Sequence, residues 1–299
     1  MYQNLVSKIG FPVESCTNSF ADDSFARQVV QYEDKRRMIS RAILTRVDRV
    51  AVQGRTGPML SACEMEGQDE VEVFIKISAG CDQDVVNLAR EAIAACLAAD
   101  LGLPVPKPWL VEIPPEIIPV VSDPKIADRL RRSCPVAFGS TRTAGFTAWS
   151  TGQRLSEAMR PVASGILLFD AIIQNPDRRV ENPNCLVQGN ELRIIDHELA
   201  FTHRIILLWE APWLLGGMKE FETPGRHIFV NELKGAPIDF APIKSCWTAL
   251  SDARLKEYEG AIPLEWAAAR ADIDAALKLI ADARDNIDAC IRELGRVLA

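Results

Sequence analysis

Three polar residues in the middle of the chain are spaced for phosphoryl transfer. Asn175-Pro-Asp177-Arg178-Arg179 leads into Asn182-Pro-Asn184, and an apolar run then ends in Ile194-Ile195-Asp196-His197. Moving a phosphoryl group asks little covalent chemistry of a protein. It needs in-line positioning and neutralised charge on the β and γ phosphates. One acid takes up the acceptor hydroxyl, an amide at a fixed offset holds a metal ion, and a second acid holds metal on the nucleotide phosphates. Asp177, Asn182 and Asp196 meet this pattern as catalytic candidates, with Asn182 and Asp196 as metal ligands. Asp177 and Asn182 are five residues apart, the offset between acid and amide in protein-kinase catalytic loops. Singly, each residue also has a structural reading, because Asn-Pro-Asp is a common turn and an Asp at a strand end often caps one. Their joint spacing, after an apolar helix and around a hairpin, favours the catalytic reading.

Nucleotide-side candidates lie earlier. Lys76 ends the apolar, alternating run Val71-Glu-Val-Phe-Ile-Lys76, where a lysine can neutralise the α and β phosphates. Glu91, fifteen residues on and in the middle of a helix, can pair with it and hold it extended, with Asp84 and Glu72 as competing partners. Gly54-Arg55-Thr56-Gly57 falls between two expected strands, where backbone amides with Arg55 and Thr56 can cover phosphate. It matches neither a Gly-x-Gly-x-x-Gly nor a Walker-type loop, and two glycines in a hairpin also serve simply as a tight turn.

The elements that must position these residues follow from pattern. Residues 1–48 read as an extension ending in a helix, with Asp22-Asp23-Ser24 as capping groups and Phe25, Val29 and Tyr32 on one face. Val50-Ala-Val52, the Gly turn and Met59–Cys63 read as strand, turn, strand, and Gly67-Gln-Asp69 precedes a third strand ending at Lys76. Residues 83–101 form a helix stopped by Gly102, Pro104 and Pro106. Trp109–Ile113 is a short strand. Residues 114–150, rich in Pro, Gly, Ser and Thr with a helix at 124–132, read as a hinge between two lobes. A buried helix over 156–173 delivers the chain to Asp177, and Cys185–Val187 with Leu192–Ile195 form a hairpin around Gly189-Asn190. The C-terminus is helical from Ile273 to Leu294 and packs on its own core.

Composition narrows the function classes. The 299 residues carry a formal charge of -7, with 48% apolar and 25% charged residues, ordinary for a globular protein. An acidic balance argues against a nucleic-acid partner, whose binding needs clustered Lys and Arg. No apolar run reaches membrane-spanning length. Eight cysteines without a Cys-x-x-Cys pair, and no secretory pattern at Met1-Tyr-Gln-Asn, point to free thiols in the cytoplasm.

Gly54-Arg-Thr-Gly-Pro58, Phe74-Ile-Lys76, Asn87-Leu-Ala-Arg-Glu91, Phe138-Gly-Ser140, Phe169 to Asp177-Arg178, Asn182-Pro-Asn184 and Ile195-Asp196-His197 together resemble the HipA-like kinase family. The resemblance covers about residues 48–205, and is closest to small stand-alone bacterial members. Phosphoinositide lipid kinases and protein kinases are more remote. It implies an α+β, bilobal protein-kinase-like fold, with a strand-rich N-lobe and hinge over 49–150 and a mainly helical C-lobe over 151–299. It implies Asp177 as acid/base, Asn182 and Asp196 as metal ligands, Lys76 as the phosphate-binding lysine and Glu91 as its partner. ATP and Mg²⁺ are the expected cosubstrates, and a protein Ser or Thr the expected acceptor. A small-molecule or lipid head-group acceptor, and a pseudokinase that binds nucleotide without turnover, stand as alternatives. His197-Glu198 replaces the Phe-Gly that follows the metal-binding acid in protein kinases, so a mobile activation segment of that kind is not expected.

Overall fold

Inward and outward residues alternate along Ser40–Val50, where Ala42 and Leu44 are buried and Arg41 and Ile43 are exposed, and this segment forms β1. The computed structural model describes residues 38–51, 56–65 and 70–299. Gly54, Arg55, the 22–32 helix and the 67–69 turn expected from the sequence lie outside them. β1 begins at Ser40, well before the strand expected at Val50, because its alternation starts there.

Four more strands follow: β2 (Met59–Glu64), β3 (Glu70–Lys76), β4 (Pro108–Glu112) and β5 (Val136–Thr141). They close into a barrel in the order β1-β2-β3-β5-β4. Neighbours run antiparallel except where β1 meets β4 in parallel, Ser40 opposite Trp109. The barrel interior is filled by Leu44, Met59, Val73, Ile75, Trp109 and Val111 among others. β5 falls inside the stretch read from sequence as a hinge. Both of its faces are buried, so it shows no alternation, and its Gly139, Ser140 and Thr141 look like loop residues.

Helix α1 (Val85–Asp100) has Leu88, Ala92, Ile93, Ala95 and Leu97 buried and belongs to a second, larger core. It touches β4, β5, the 264–269 turn and the C-terminal helix that starts at Arg270. Helix α2 (Pro124–Arg132) is capped by Asp123, whose carboxylate accepts from the Lys125 amide at 2.8 Å. Helix α3 (Arg160–Ile172) starts with Pro161 in its first turn and is buried from Ala163 to Ile172. A second sheet of β6 (Thr147–Ala148), β7 (Cys185–Gln188) and β8 (Glu191–Ile194) follows the order β6-β7-β8. Gly189, with φ of 57°, makes the β7–β8 turn. Beyond it run α4 (Val230–Leu233), α5 (Ala241–Ala249), α6 (Asp252–Ala261), α7 (Arg270–Asp285) and α8 (Ile287–Val297). The apolar spacing from Ile273 to Leu294 is therefore carried by two helices that break at Asn286. The whole is a mixed α+β structure, strand-rich toward its N-terminus and helical toward its C-terminus. Among the described residues no helix is long and apolar enough to cross a membrane.

Gly139 leaves room for the barrel core. A Cβ there would come within 2.6 Å of Val73 Cγ1 and 2.9 Å of Val111 Cγ2. Gly139→Ala is expected to lower stability by ~1–3 kcal/mol through overpacking. A urea midpoint equal to the parent's would show that the barrel is looser than its packing indicates.

Candidate functional site

A lysine can be buried at the end of a strand only if its charge is compensated. Lys76, 8% exposed, ends β3 opposite Phe138 of β5. Its Nζ lies 3.0 Å from Glu91 Oε2, 2.6 Å from Asp196 Oδ1 and 3.0 Å from Glu198 Oε2. Burial works against the ammonium, but these three carboxylates hold its pKa well above the usual lysine value. The competition for Lys76 is thus resolved for Glu91, while Glu72 is turned to Arg142 at 2.8 Å. Burial would raise the Glu91 pKa, yet Lys76 and His197 keep it far below the usual carboxylate range. Glu198 differs: burial, with Asp196 and Glu91 nearby, outweighs Lys76 and lifts it to about 7.

Two separate pieces of chain deliver the three acids. Glu91 comes from the middle of α1. Asp196 follows β8 in a left-handed conformation, φ 62°, tolerated better by Asp than by most side chains. Glu198 is held through its backbone, where its carbonyl accepts from Asn87 Nδ2 at 2.9 Å. Glu198 did not enter the sequence-derived site. Its signal was a charge directly before the apolar Leu199-Ala-Phe201, where a carboxylate that is buried needs a partner.

The Asn-Pro-Asp segment forms its turn through Asn175, whose Oδ1 accepts from the Asp177 amide at 3.2 Å while Nδ2 donates to Asp170 at 2.7 Å. Asp177 is then gripped by three donors. Arg179 reaches Oδ1 at 3.1 Å, and Asn182 and Asn184 reach Oδ2 at 2.7 and 3.0 Å. A carboxylate offers about four acceptor positions, so one remains for an incoming hydroxyl. Asn184 is also left-handed, φ 43°.

Beneath this loop lies a buried charge pair that the sequence reading did not name. Asp170, inside α3, meets Arg178 Nε at 2.6 Å, and both side chains are fully buried. His227 Nε2 donates to Asp170 at 3.1 Å, and its Nδ1 accepts from the Phe229 amide at 3.2 Å. Although burial opposes the charge, Arg178 and His227 hold the Asp170 carboxyl well below its ordinary range. Arg178 also donates to the carbonyls of Asn184 and Ile195, fixing both ends of the 184–195 hairpin.

Lys76, Glu91, Asn182, Asn184 and Asp196 line one cavity of about 440 Å³. Its walls continue over Ala95, Val105, Phe138 and Leu186, and over Arg49, Ala51 and Pro58 at the first hairpin. Thr56 is buried, with its carbonyl accepting from Arg129 at 2.7 Å, and Gly57 has φ of 56°. The arrangement sets a fixed cation and several hard oxygen donors on a cleft with an apolar flank.

The chain matches the family model described as HipA-like kinase over residues 44–293. It belongs to the HipA-like kinase family. A HipA-like kinase is a phosphotransferase, and the match extends past the segment the motifs alone covered, into α8. Among solved structures, the chain is similar to a Helicobacter pylori proinflammatory kinase, CtkA, at 11% identity and a TM-score of 0.39, covering 84% of this chain and 96% of that one. No curated protein matches the chain.

The Asp170–Arg178 pair makes the stability of this HipA-like kinase depend on pH. Asp170 has a depressed pKa when folded. Its contribution is therefore complete above the unfolded value of ~3.9 and is lost as pH falls below it toward the folded pKa. Asp170→Asn, which leaves Arg178 buried without its counter-charge, is expected to cost ~3–5 kcal/mol at pH 7. In urea unfolding the gap between parent and variant should narrow below pH ~4. A gap that is the same at pH 3 and pH 7 would contradict the assignment.

Proposed function

We propose that this HipA-like kinase uses ATP and Mg²⁺ to transfer the γ-phosphate to a hydroxyl acceptor, a protein Ser or Thr. The observation that carries the reading is the clasp of Lys76 by Glu91, Asp196 and Glu198 on the same cavity that Asn182 and Asn184 line. The barrel with α1 acts as the N-lobe and the helices from α3 onward as the C-lobe, with the connecting hinge in the stretch ending near residue 150. The extension expected over residues 1–48 is cut short by β1, which from Ser40 is a strand of the barrel and so of the N-lobe. The seven described cysteines are free thiols, which supports action in the reducing cytoplasm.

The donor set fits a hard divalent cation. Asp196 supplies a carboxylate, and the Asn182 nitrogen is committed to Asp177, which leaves its amide oxygen for a metal. Three carboxylates around one ammonium also leave the cleft acidic, so a polyphosphate entering it needs further positive charge. Mg²⁺ bound there would neutralise charge on the phosphates. Lys76, held extended, binds phosphate oxygens. The side chains of Ala95, Val105, Phe138 and Leu186 exclude water from the base side of the cleft. Asp177, locked by Arg179, Asn182 and Asn184, orients the acceptor hydroxyl and receives its proton at the free carboxylate position.

Asp177→Asn should keep near-parental ATP affinity in calorimetry and lose ~10²–10⁴-fold in radiolabelled phosphate transfer, the range for a missing general acid/base. Equal transfer by parent and variant would make Asp177 a turn residue and favour a nucleotide-binding module without turnover. Asp196→Ala tests the metal half of the reading. It should abolish the Mg²⁺-dependent part of ATP binding, and a variant binding Mg·ATP as tightly as the parent would remove Asp196 from that role.

A further inference from the structure

His197 occupies a position that neither the catalytic acids nor the nucleotide side accounts for. It is 2% exposed, follows Asp196 directly, and packs edge-on against Phe169 of α3 with ring centroids 5.7 Å apart. Its Nε2 lies 2.9 Å from Arg178 Nη2. A guanidinium can only donate, so Nε2 must accept and the ring proton belongs on Nδ1. That nitrogen lies 3.5 Å from Glu91 Oε1, and the His197 backbone amide donates to Glu91 Oε2 at 2.9 Å.

A continuous buried chain results. It runs from Asp170 through Arg178 and His197 to Glu91 and then Lys76. At one end stands the loop that carries Asp177, one residue before Arg178, and at the other stands the ammonium on the nucleotide side. Arg178 also fixes the carbonyls of Asn184 and Ile195, which flank the hairpin leading to Asp196. Lys76 keeps Asp196 and Glu198 as partners independently of His197.

We propose that His197 is a positioning residue: its ring Nε2 holds Arg178, under the loop that carries Asp177, while its backbone amide, with ring Nδ1 3.5 Å away, holds Glu91, under Lys76, and so it fixes the acceptor side of the site against the nucleotide side. The linkage rests on geometry, while its effect on rate rests on the kinase reading above. Because the other two carboxylates still hold Lys76, losing the ring nitrogens should affect transfer more than nucleotide binding.

Two measurements on the full chain test this. The first is a long-range ¹H–¹⁵N spectrum of the imidazoles, with the His197 ring assigned by comparison with His197→Gln. A proton on Nδ1 is expected, and a ring protonated on Nε2 instead would overturn the linkage whether or not the protein turns over. The second compares His197→Phe, which keeps the ring packing on Phe169, with His197→Gln, whose amide oxygen can still accept from Arg178. His197→Phe is expected to bind Mg·ATP within a few-fold of the parent and to transfer phosphate ~10–100-fold more slowly, the range for a lost partner of an active-site ligand. His197→Gln should recover part of that rate. Glu91→Gln should cost less in the His197→Phe background than in the parent, because the two act through one chain. Parental transfer by folded His197→Phe, or losses that simply multiply, would overturn the proposal. If His197→Phe does not fold, His197→Gln decides by the same rate and by the same cycle with Glu91→Gln. A parent that binds Mg·ATP but transfers no phosphate would count against the kinase reading, and the spectrum would then still accept or reject the linkage.

Discussion

The buried ammonium of Lys76 is the constraint on which the rest of the site depends. An uncompensated charge at that depth would cost several kcal/mol, so carboxylates must be brought to it. Three of them arrive from two distant segments: Glu91 from α1, and Asp196 and Glu198 from the chain just after β8. That requirement fixes α1 against the end of β3, and it fixes the 196–198 turn against both. The barrel holds the lysine, and the helical part with its small sheet presents the two later acids.

A second buried charge, Arg178, does the same for the loop that carries Asp177. Its guanidinium is spread over Asp170, the carbonyls of Asn184 and Ile195, and His197. Arginine suits this task because one planar fork can satisfy several acceptors at once, where a lysine is a single point charge. Left-handed residues collect around the same region: Gln174 at φ 56°, Asn184 at 43°, Asp196 at 62° and Phe201 at 58°. For a residue as bulky as Phe201 that conformation is unfavourable. It is retained because the side chain is fully buried and the amide donates to the Ile173 carbonyl at 2.8 Å. The polar network and the backbone around it are therefore determined together.

Elements with a strong period were readable in the sequence, and elements buried on every side were not. The α1 helix, the β7–β8 hairpin and α3 lie close to where apolar spacing and Gly-Asn turn chemistry placed them. β5 was hidden because Val136-Ala-Phe-Gly-Ser-Thr faces two cores and carries the glycine that barrel packing needs. The pairing of Lys76 with Glu91 was legible as a strand-end cation and a mid-helix acid. The direct contact of Asp177 with Asn182 was legible only as an offset.

What spacing could not convey was which polar residues act on one another across the chain. Asp170 in the run Ile166–Ile173, and Glu198 between His197 and the apolar Leu199-Ala-Phe201, are buried charges, and each demanded a partner. Nothing in their local sequence says that one would find Arg178 and the other a lysine 122 positions away. A loop offset is a property of a short stretch of backbone, whereas compensation of a buried charge is settled by the whole fold. The residues most easily missed are therefore those whose role is to hold the recognisable ones in register, and in this chain they are Asp170, Arg178, His197 and Glu198.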